Sequence, residues 1–167
     1  KICCYKSTRA MPCSNGLINR NDPSFSERPV ITEQTIQAYR ETEYRVHGDS
    51  PFTLKARHPS PELLQVMQKH KVDCCAFITA FNPYSASTDA ADNASRQLSL
   101  SEELSRRSLR FIEGIGQHPS NQWPGEDSFL VFGIRLEAAK TLGRRFEQNA
   151  ILWCDATAIP QLILLDR

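Results

Sequence analysis

Ala76-Phe77-Ile78-Thr79-Ala80-Phe81-Asn82-Pro83 is an apolar run of β-branched, aromatic and small residues that ends on a carboxamide and a proline. Such a run suits a buried, pleated strand. Asn-Pro after it is turn chemistry that stops the strand. Its counterpart is Phe146-Glu147-Gln148-Asn149-Ala150-Ile151-Leu152-Trp153, where two carboxamides lead into a second apolar run. A polar group beside a core costs free energy unless it is hydrogen-bonded. These side chains therefore either pin the strand ends or line a ligand site.

Reading outward from these two runs, Cys74 to Phe81 is a strand and Thr88 to about Arg107 a helix. Arg110 to Glu113 and Phe129 to Ile134 are strands, Leu136 to Phe146 is a helix and Ala150 to Cys154 a strand. The second helix carries Leu136, Ala139, Leu142, Gly143 and Phe146 on one stripe, with Glu137, Lys140 and Arg144 outside it. The order is β-α-β-β-α-β, the split unit of ferredoxin-like domains. Upstream, Thr32 is suited to cap a short helix through Tyr39, with Ile31 and Ile36 at the spacing of a hydrophobic staple. Glu43 to His47 and Phe52 to Arg57 form a hairpin around Gly48-Asp49-Ser50-Pro51. Ser60-Pro61 opens a further helix that buries Leu63, Leu64 and Met67. The predicted class is α+β: a ferredoxin-like core extended by an N-terminal helix, a β-hairpin and a helix. Residues 30–167 form one domain, and residues 1–29, with no amphipathic period, are expected to be a disordered or non-native extension.

The chain has 167 residues, enough for one real core, with 40% hydrophobic and 23% charged residues. Residues 1–29 carry five basic and two acidic side chains; the remainder carries 15 basic and 17 acidic. A near-neutral body offers no electrostatic footprint for nucleic acid. The longest apolar stretch is far short of the roughly 20 residues that span a bilayer. The six cysteines show neither zinc spacing nor a Cys-x-x-Cys pair, so they are expected to be reduced thiols in a cytoplasmic protein, with no metal and no cofactor.

Topology then places the polar residues. The first and third strands of the split unit are expected to run parallel, with the second and fourth against them, so Asn82, the start of the Thr88 helix and Gln148-Asn149 gather at one edge of the sheet. Gly114-Ile115-Gly116-Gln117-His118 and Trp123-Pro124-Gly125-Glu126 are then expected at the opposite edge. Asn93 and Gln97 lie four apart on the helix, in line with Leu100 and Leu104.

The chain resembles a bacterial family catalogued as domain of unknown function 3293. The resemblance rests on Ala76 to Pro83, on Asn93 with Gln97, on Trp123-Pro124 with Glu126, and on Arg145 to Trp153. It runs from about Tyr39 to Pro160. The family pattern has glycine where this chain has Glu147. The resemblance implies a fold and no known activity.

The candidate ligand-binding residues are Thr79, Asn82, Asn93, Gln97, Gln148 and Asn149. Carboxamides donate and accept at once, and the start of the Thr88 helix favours an anionic group. The expected partner is therefore a polar or anionic small molecule. The plainer alternative is helix capping and loop pinning. Glu126 and His118 are secondary candidates for acid and base in a metal-independent enzyme. Gly114-Ile115-Gly116 is a poor phosphate loop, because it lacks a third glycine and a following helix. Arg106-Arg107 and Arg144-Arg145 read as solvated helix faces. An RNA-binding sheet carrying Phe77, Phe81, Phe129 and Phe132 is disfavoured by the acidic body. The expected function is a small-ligand or regulatory binding module using the carboxamide-rich edge.

Overall fold

The computed structural model describes residues 31–120 and 123–165, so the expectations for residues 1–29 lie outside the described residues. The elements, in chain order, are α1 (Glu33–Glu41), β1 (Glu43–Val46), β2 (Phe52–Leu54), α2 (Pro61–His70), β3 (Cys75–Thr79), α3 (Ala90–Arg106), β4 (Phe111–Gln117), β5 (Glu126–Phe132), α4 (Leu136–Arg145), β6 (Ala150–Cys154) and β7 (Gln161–Leu164). One seven-stranded sheet runs in the order β2-β1-β4-β5-β3-β6-β7. The class is α+β.

Every strand pair is antiparallel, including β3 with β5, where Cys75 faces Phe132 and Thr79 faces Ser128. This corrects the expected parallel first and third strands. In a split β-α-β unit it is β3 and β4 that share a direction, and β5 lies between them running the other way. β7, which pairs with β6 through Ile151 and Ile163, was not read from the sequence.

Alternation along the strands sorts the core into two layers. Ala76, Ile78, Ala80, Phe129, Val131 and Ile151 pack under Leu100 and Leu104 of α3 and Ala139 and Leu142 of α4. α4 can approach β6 because Gly143 has no side chain; a Cβ there would lie 2.9 Å from Ile151 and 2.6 Å from Leu165. The opposite face carries Cys75, Phe77, Leu130, Phe132, Leu152 and Cys154 against Leu63 and Met67 of α2. Phe77, Phe129 and Phe132 are buried and divided between the two faces, so they form no base-stacking platform. The caps follow local chemistry. Thr32 accepts from Thr35 N–H, Ser60 from Leu63 N–H, and Asp89, one residue past the expected Thr88, from Asp92 N–H.

The arginine pairs are not free faces. Arg106, Arg107 and Arg145 converge on the Glu103 carboxylate, Arg107 Nε at 2.7 Å and Arg145 Nη1 at 2.8 Å from Oε1. Hydrogen bonding from Arg107 holds that carboxyl below its ordinary range. α3 and α4 are thereby tied at one end.

Candidate functional site

On the α2 face, side-chain size falls sharply toward one end of the sheet. Phe77, Leu130 and Leu152 fill one half; Gly114, Gly116, Thr79, Ser128 and Ala150 occupy the other. Gly114 has a packing reason: a Cβ there would lie 2.5 Å from the Arg45 carbonyl oxygen and 2.8 Å from the Phe77 ring. Gly116 has none, because a Cβ would meet only Thr42 and Tyr44 at 3.8 Å. Above this thinly covered floor stands α1, which buries none of its own residues. The space between them is a cleft of about 800 Å³. Gln34, Gln37, Ala38 and Glu41 of α1 form one wall, and Tyr44, Phe77, Gly116, Ser128 and Leu152 lie beneath.

α1 is held at its C-terminal end. Tyr39 Oη shares a hydrogen bond of 2.5 Å with Ser85 Oγ, and Asn149 Nδ2 donates to both oxygens, at 3.2 and 2.9 Å. Tyr44 Oη donates to the Tyr39 carbonyl at 2.7 Å, and burial pushes the Tyr44 phenol well above its ordinary range. Asn149 is thus the link from β6 to the helix wall.

The rim is built on Asn82, which sits in the left-handed region at φ 46, a conformation asparagine tolerates better than most residues. Its Oδ1 accepts from Thr88 N–H and Asn93 Nδ2, both at 3.1 Å, while its backbone N–H donates to Asn93 Oδ1 at 2.8 Å. Its Nδ2 donates to Glu126 Oε1 at 2.7 Å. Gln97 Oε1 accepts the Ala80 N–H at 3.0 Å, and Gln148 Nε2 donates to the carbonyls of Phe81 and Phe146. Thr79 Oγ1 donates to Asp127 O and accepts from Phe81 N–H.

All six candidate residues therefore meet at one end of the sheet, in two roles. Thr79, Asn82 and Gln148 line the cleft. Asn93 and Gln97 satisfy backbone behind it, and Asn149 fastens α1.

Glu126, Trp123, Gly116 and His118 also line this cleft, not the opposite edge. The reason is the antiparallel pairing of β3 with β5: the start of β5 meets the end of β3, and Gly116 pairs with Glu126. Both strands are longer than the sequence reading allowed, so Gly114-Ile115-Gly116 is strand interior and forms no phosphate loop. Glu126 is half-buried, and desolvation raises its carboxyl pKa against the hydrogen bonds from Asn82 and from Trp123 Nε1 at 3.3 Å. His118 contacts Glu41 Oε2 through Nε2 at 3.2 Å and Ser120 Oγ through Nδ1 at 2.7 Å. No hydrogen bond joins His118 to Glu126 among the described residues.

Arg96 was missed. Its guanidinium donates to the Ala80 carbonyl at 2.8 Å, to the Phe146 carbonyl at 2.6 Å and to Glu147 Oε2 at 3.1 Å. It locks the end of β3 to the end of α4, behind the rim. Its place one residue before Gln97 was the available signal. Among the described residues, no three His, Cys, Asp or Glu side chains are grouped so as to hold a metal ion. No helix there is long and apolar enough to cross a membrane.

The architecture is an α+β fold with a half-open cleft between a helix and the bare end of a sheet. Residues 78–151, from β3 into β6, match the family model described as "Protein of unknown function (DUF3293)". The resemblance read from the sequence holds over that span, which includes Asn82, Glu126 and Gln148 and leaves out α1. No curated protein and no solved structure matches the chain. The glycine that the resemblance leads one to expect at position 147 has a physical reason. Glu147 follows α4 at φ 58, with Glu147 N–H donating to Arg144 O and Gln148 N–H to Gly143 O. That is a Schellman cap, whose left-handed position favours glycine.

Proposed function

We propose that the protein is a small-ligand binding module whose site is the cleft between α1 and the carboxamide-rich end of the sheet. One observation carries this reading: a half-buried carboxylate, Glu126, stands in a cleft of about 800 Å³ among Tyr44, Phe77 and Trp123. A cavity of that size, mostly apolar with a few convergent polar groups, has the character of a small-molecule site. Removing the cleft would cost little locally, since Gly116 has room for a side chain. The scaffold that goes with this reading is ferredoxin-like, supported by the run β4-β5-β3-β6 with α3 and α4 on one face. The buried thiols Cys74, Cys75 and Cys154 suit a reducing, cytoplasmic setting.

A second reading is a metal-independent enzyme with Glu126 as the general acid or base. It is favoured by the upward shift of the Glu126 carboxyl, since perturbed acids collect at reactive sites. His118 is a poorer partner, because both its ring nitrogens are engaged elsewhere.

The test is a thermal-shift screen of neutral, anionic and cationic small molecules against the full chain and Gly116→Leu. Ligands of the cleft raise the midpoint of the wild type and leave the filled variant unmoved. Compounds that shift both proteins equally bind elsewhere, and a screen with no shifts at all counts against the binding role.

A further inference from the structure

We propose that the cleft takes an ammonium-bearing molecule with an apolar, ring-sized body, its cationic nitrogen on Glu126 and its body against Trp123, Tyr44 and Phe77. The inference rests on the binding role proposed for the same cleft and names the class of its ligand.

Charge decides the class. Among the described residues, those lining the cleft include the carboxylates of Glu41 and Glu126 and no lysine or arginine. Three arginines on the elements around it are engaged: Arg40 with Glu33, Arg96 with two carbonyls and Glu147, and Arg45 with Glu43 and Gln117. An anion would therefore meet two carboxylates and, among the described residues, neither lysine nor arginine. The start of α3, the other place an anion could be held, already has Asp89 as its cap and Asp92 in its first turn.

Geometry decides the anchor. Glu126 Oε1 accepts from Asn82 Nδ2 and from Trp123 Nε1. Its second oxygen, Oε2, has no partner among the described residues. Both donors are neutral, so a carboxylate partly withdrawn from water lacks the countercharge that would offset its desolvation. An ammonium on Oε2 supplies that countercharge. Asn82 holds the carboxylate in place while itself being fixed by Thr88 and Asn93, so the anchor is preorganised. The body of the ligand is set by the rings. Tyr44 and Phe77 meet edge to face at 5.5 Å on the floor, and Trp123, 44% exposed, stands at the mouth. A carboxylate in a cleft lined by aromatic rings favours a cation with an apolar body, by charge pairing at Glu126 and by burial of that body against the rings. Glu41, on the facing wall, lies too far toward solvent to be the anchor, and Gln37 and His118 already engage it.

The experiment titrates the full chain with three probes of one shape: phenethylammonium, 2-phenylethanol and 3-phenylpropanoate. Intrinsic fluorescence reports binding, because Trp123 lines the cleft and Trp153, the second tryptophan, donates to Ile134 O. The expected order is ammonium first, with the alcohol weaker by about tenfold and the carboxylate weakest. Glu126→Gln should erase the preference for the ammonium over the alcohol while leaving alcohol binding within about twofold, a factor too small for a lost charge pair. Retained alcohol binding also shows that the variant is folded. If the alcohol or the carboxylate binds as tightly as the ammonium, the charge assignment is overturned while the binding role stands. If the ammonium binds Gly116→Leu as well as it binds the wild type, the site is not the cleft and the assignment falls. If none of the three binds at millimolar concentration, a ring-sized ammonium ligand is excluded; a shift from some other compound in the thermal screen would still uphold the binding role.

Discussion

Replacing Asn82 by alanine removes more than a surface carboxamide. The side chain makes two hydrogen bonds with neutral partners, Thr88 N–H and Asn93 Nδ2, and one to the Glu126 carboxylate. A neutral hydrogen bond contributes about 1 kcal/mol and one to a charged group about 1.5–3 kcal/mol. Alanine at φ 46 adds about 1 kcal/mol of left-handed strain that asparagine tolerates better. Water can reach part of the rim, so the net loss should be about 3 kcal/mol, or roughly 10 °C in the melting midpoint for a domain of this size. Urea denaturation measures it, with an unchanged m-value showing that the native surface is intact. Asn82→Gly separates the contributions: it loses the same bonds without the backbone strain, and should be about 1 kcal/mol more stable than Asn82→Ala. A loss under about 0.5 kcal/mol for alanine, no larger than an ordinary surface change, would refute the view of Asn82 as the pin of the rim. Glycine no better than alanine would refute the strain argument.

Three further expectations follow from particular contacts. At position 147 the stability order should be Gly, then Glu, then Ala, measured by denaturant midpoints. Glycine removes about 1 kcal/mol of left-handed cost, whereas the half-exposed pair with Arg96 is worth less than about 1 kcal/mol; the reverse order would contradict the cap assignment. Gly114→Ala should cost about 1–3 kcal/mol because its Cβ collides with the Arg45 carbonyl and the Phe77 ring, and Gly116→Ala should fall within about 0.5 kcal/mol of wild type. Equal effects at the two glycines would show that the floor is looser than described. Burial raises the Glu126 carboxyl above its ordinary value of 4.5. Its contribution to stability is therefore full below that value and is lost as pH rises through the folded-state pKa. Glu126→Gln should gain stability relative to wild type as pH rises from the ordinary carboxyl value of 4.5, and a difference that stays constant with pH would show no shift.

The continuous apolar runs of Cys74 to Phe81 and Ala150 to Cys154 were enough to find β3 and β6, because both faces of those strands are covered. The helices announced themselves through Thr32, Ser60-Pro61 and the Leu136 stripe, where capping and periodicity agree. β4 and β5 were underestimated for the reason that makes them interesting: Gly114, Gly116, Glu126 and Ser128 carry no apolar signal, since their side of the sheet faces the cleft. The direction of β5 relative to β3 depends on a crossover that no local pattern records, and misreading it sent Glu126 and Trp123 to the wrong edge. The carboxamides were legible as a group because all of them flank apolar runs. Their division into those that line the cleft and those that only support it was not legible, because it turns on which way a side chain points at a strand end. Arg96 looked like any helix-surface arginine, and only the three acceptors around it show otherwise.

The most direct measurement is amide chemical-shift mapping of the full chain with the strongest compound from the thermal screen. The expected changes fall on Gly116, Thr79, Ser128 and Glu126 and on α1 from Gln34 to Glu41, with the α3 and α4 face silent. Changes centred instead on that helical face, or spread evenly over the surface, would contradict a ligand site between α1 and the bare end of the sheet.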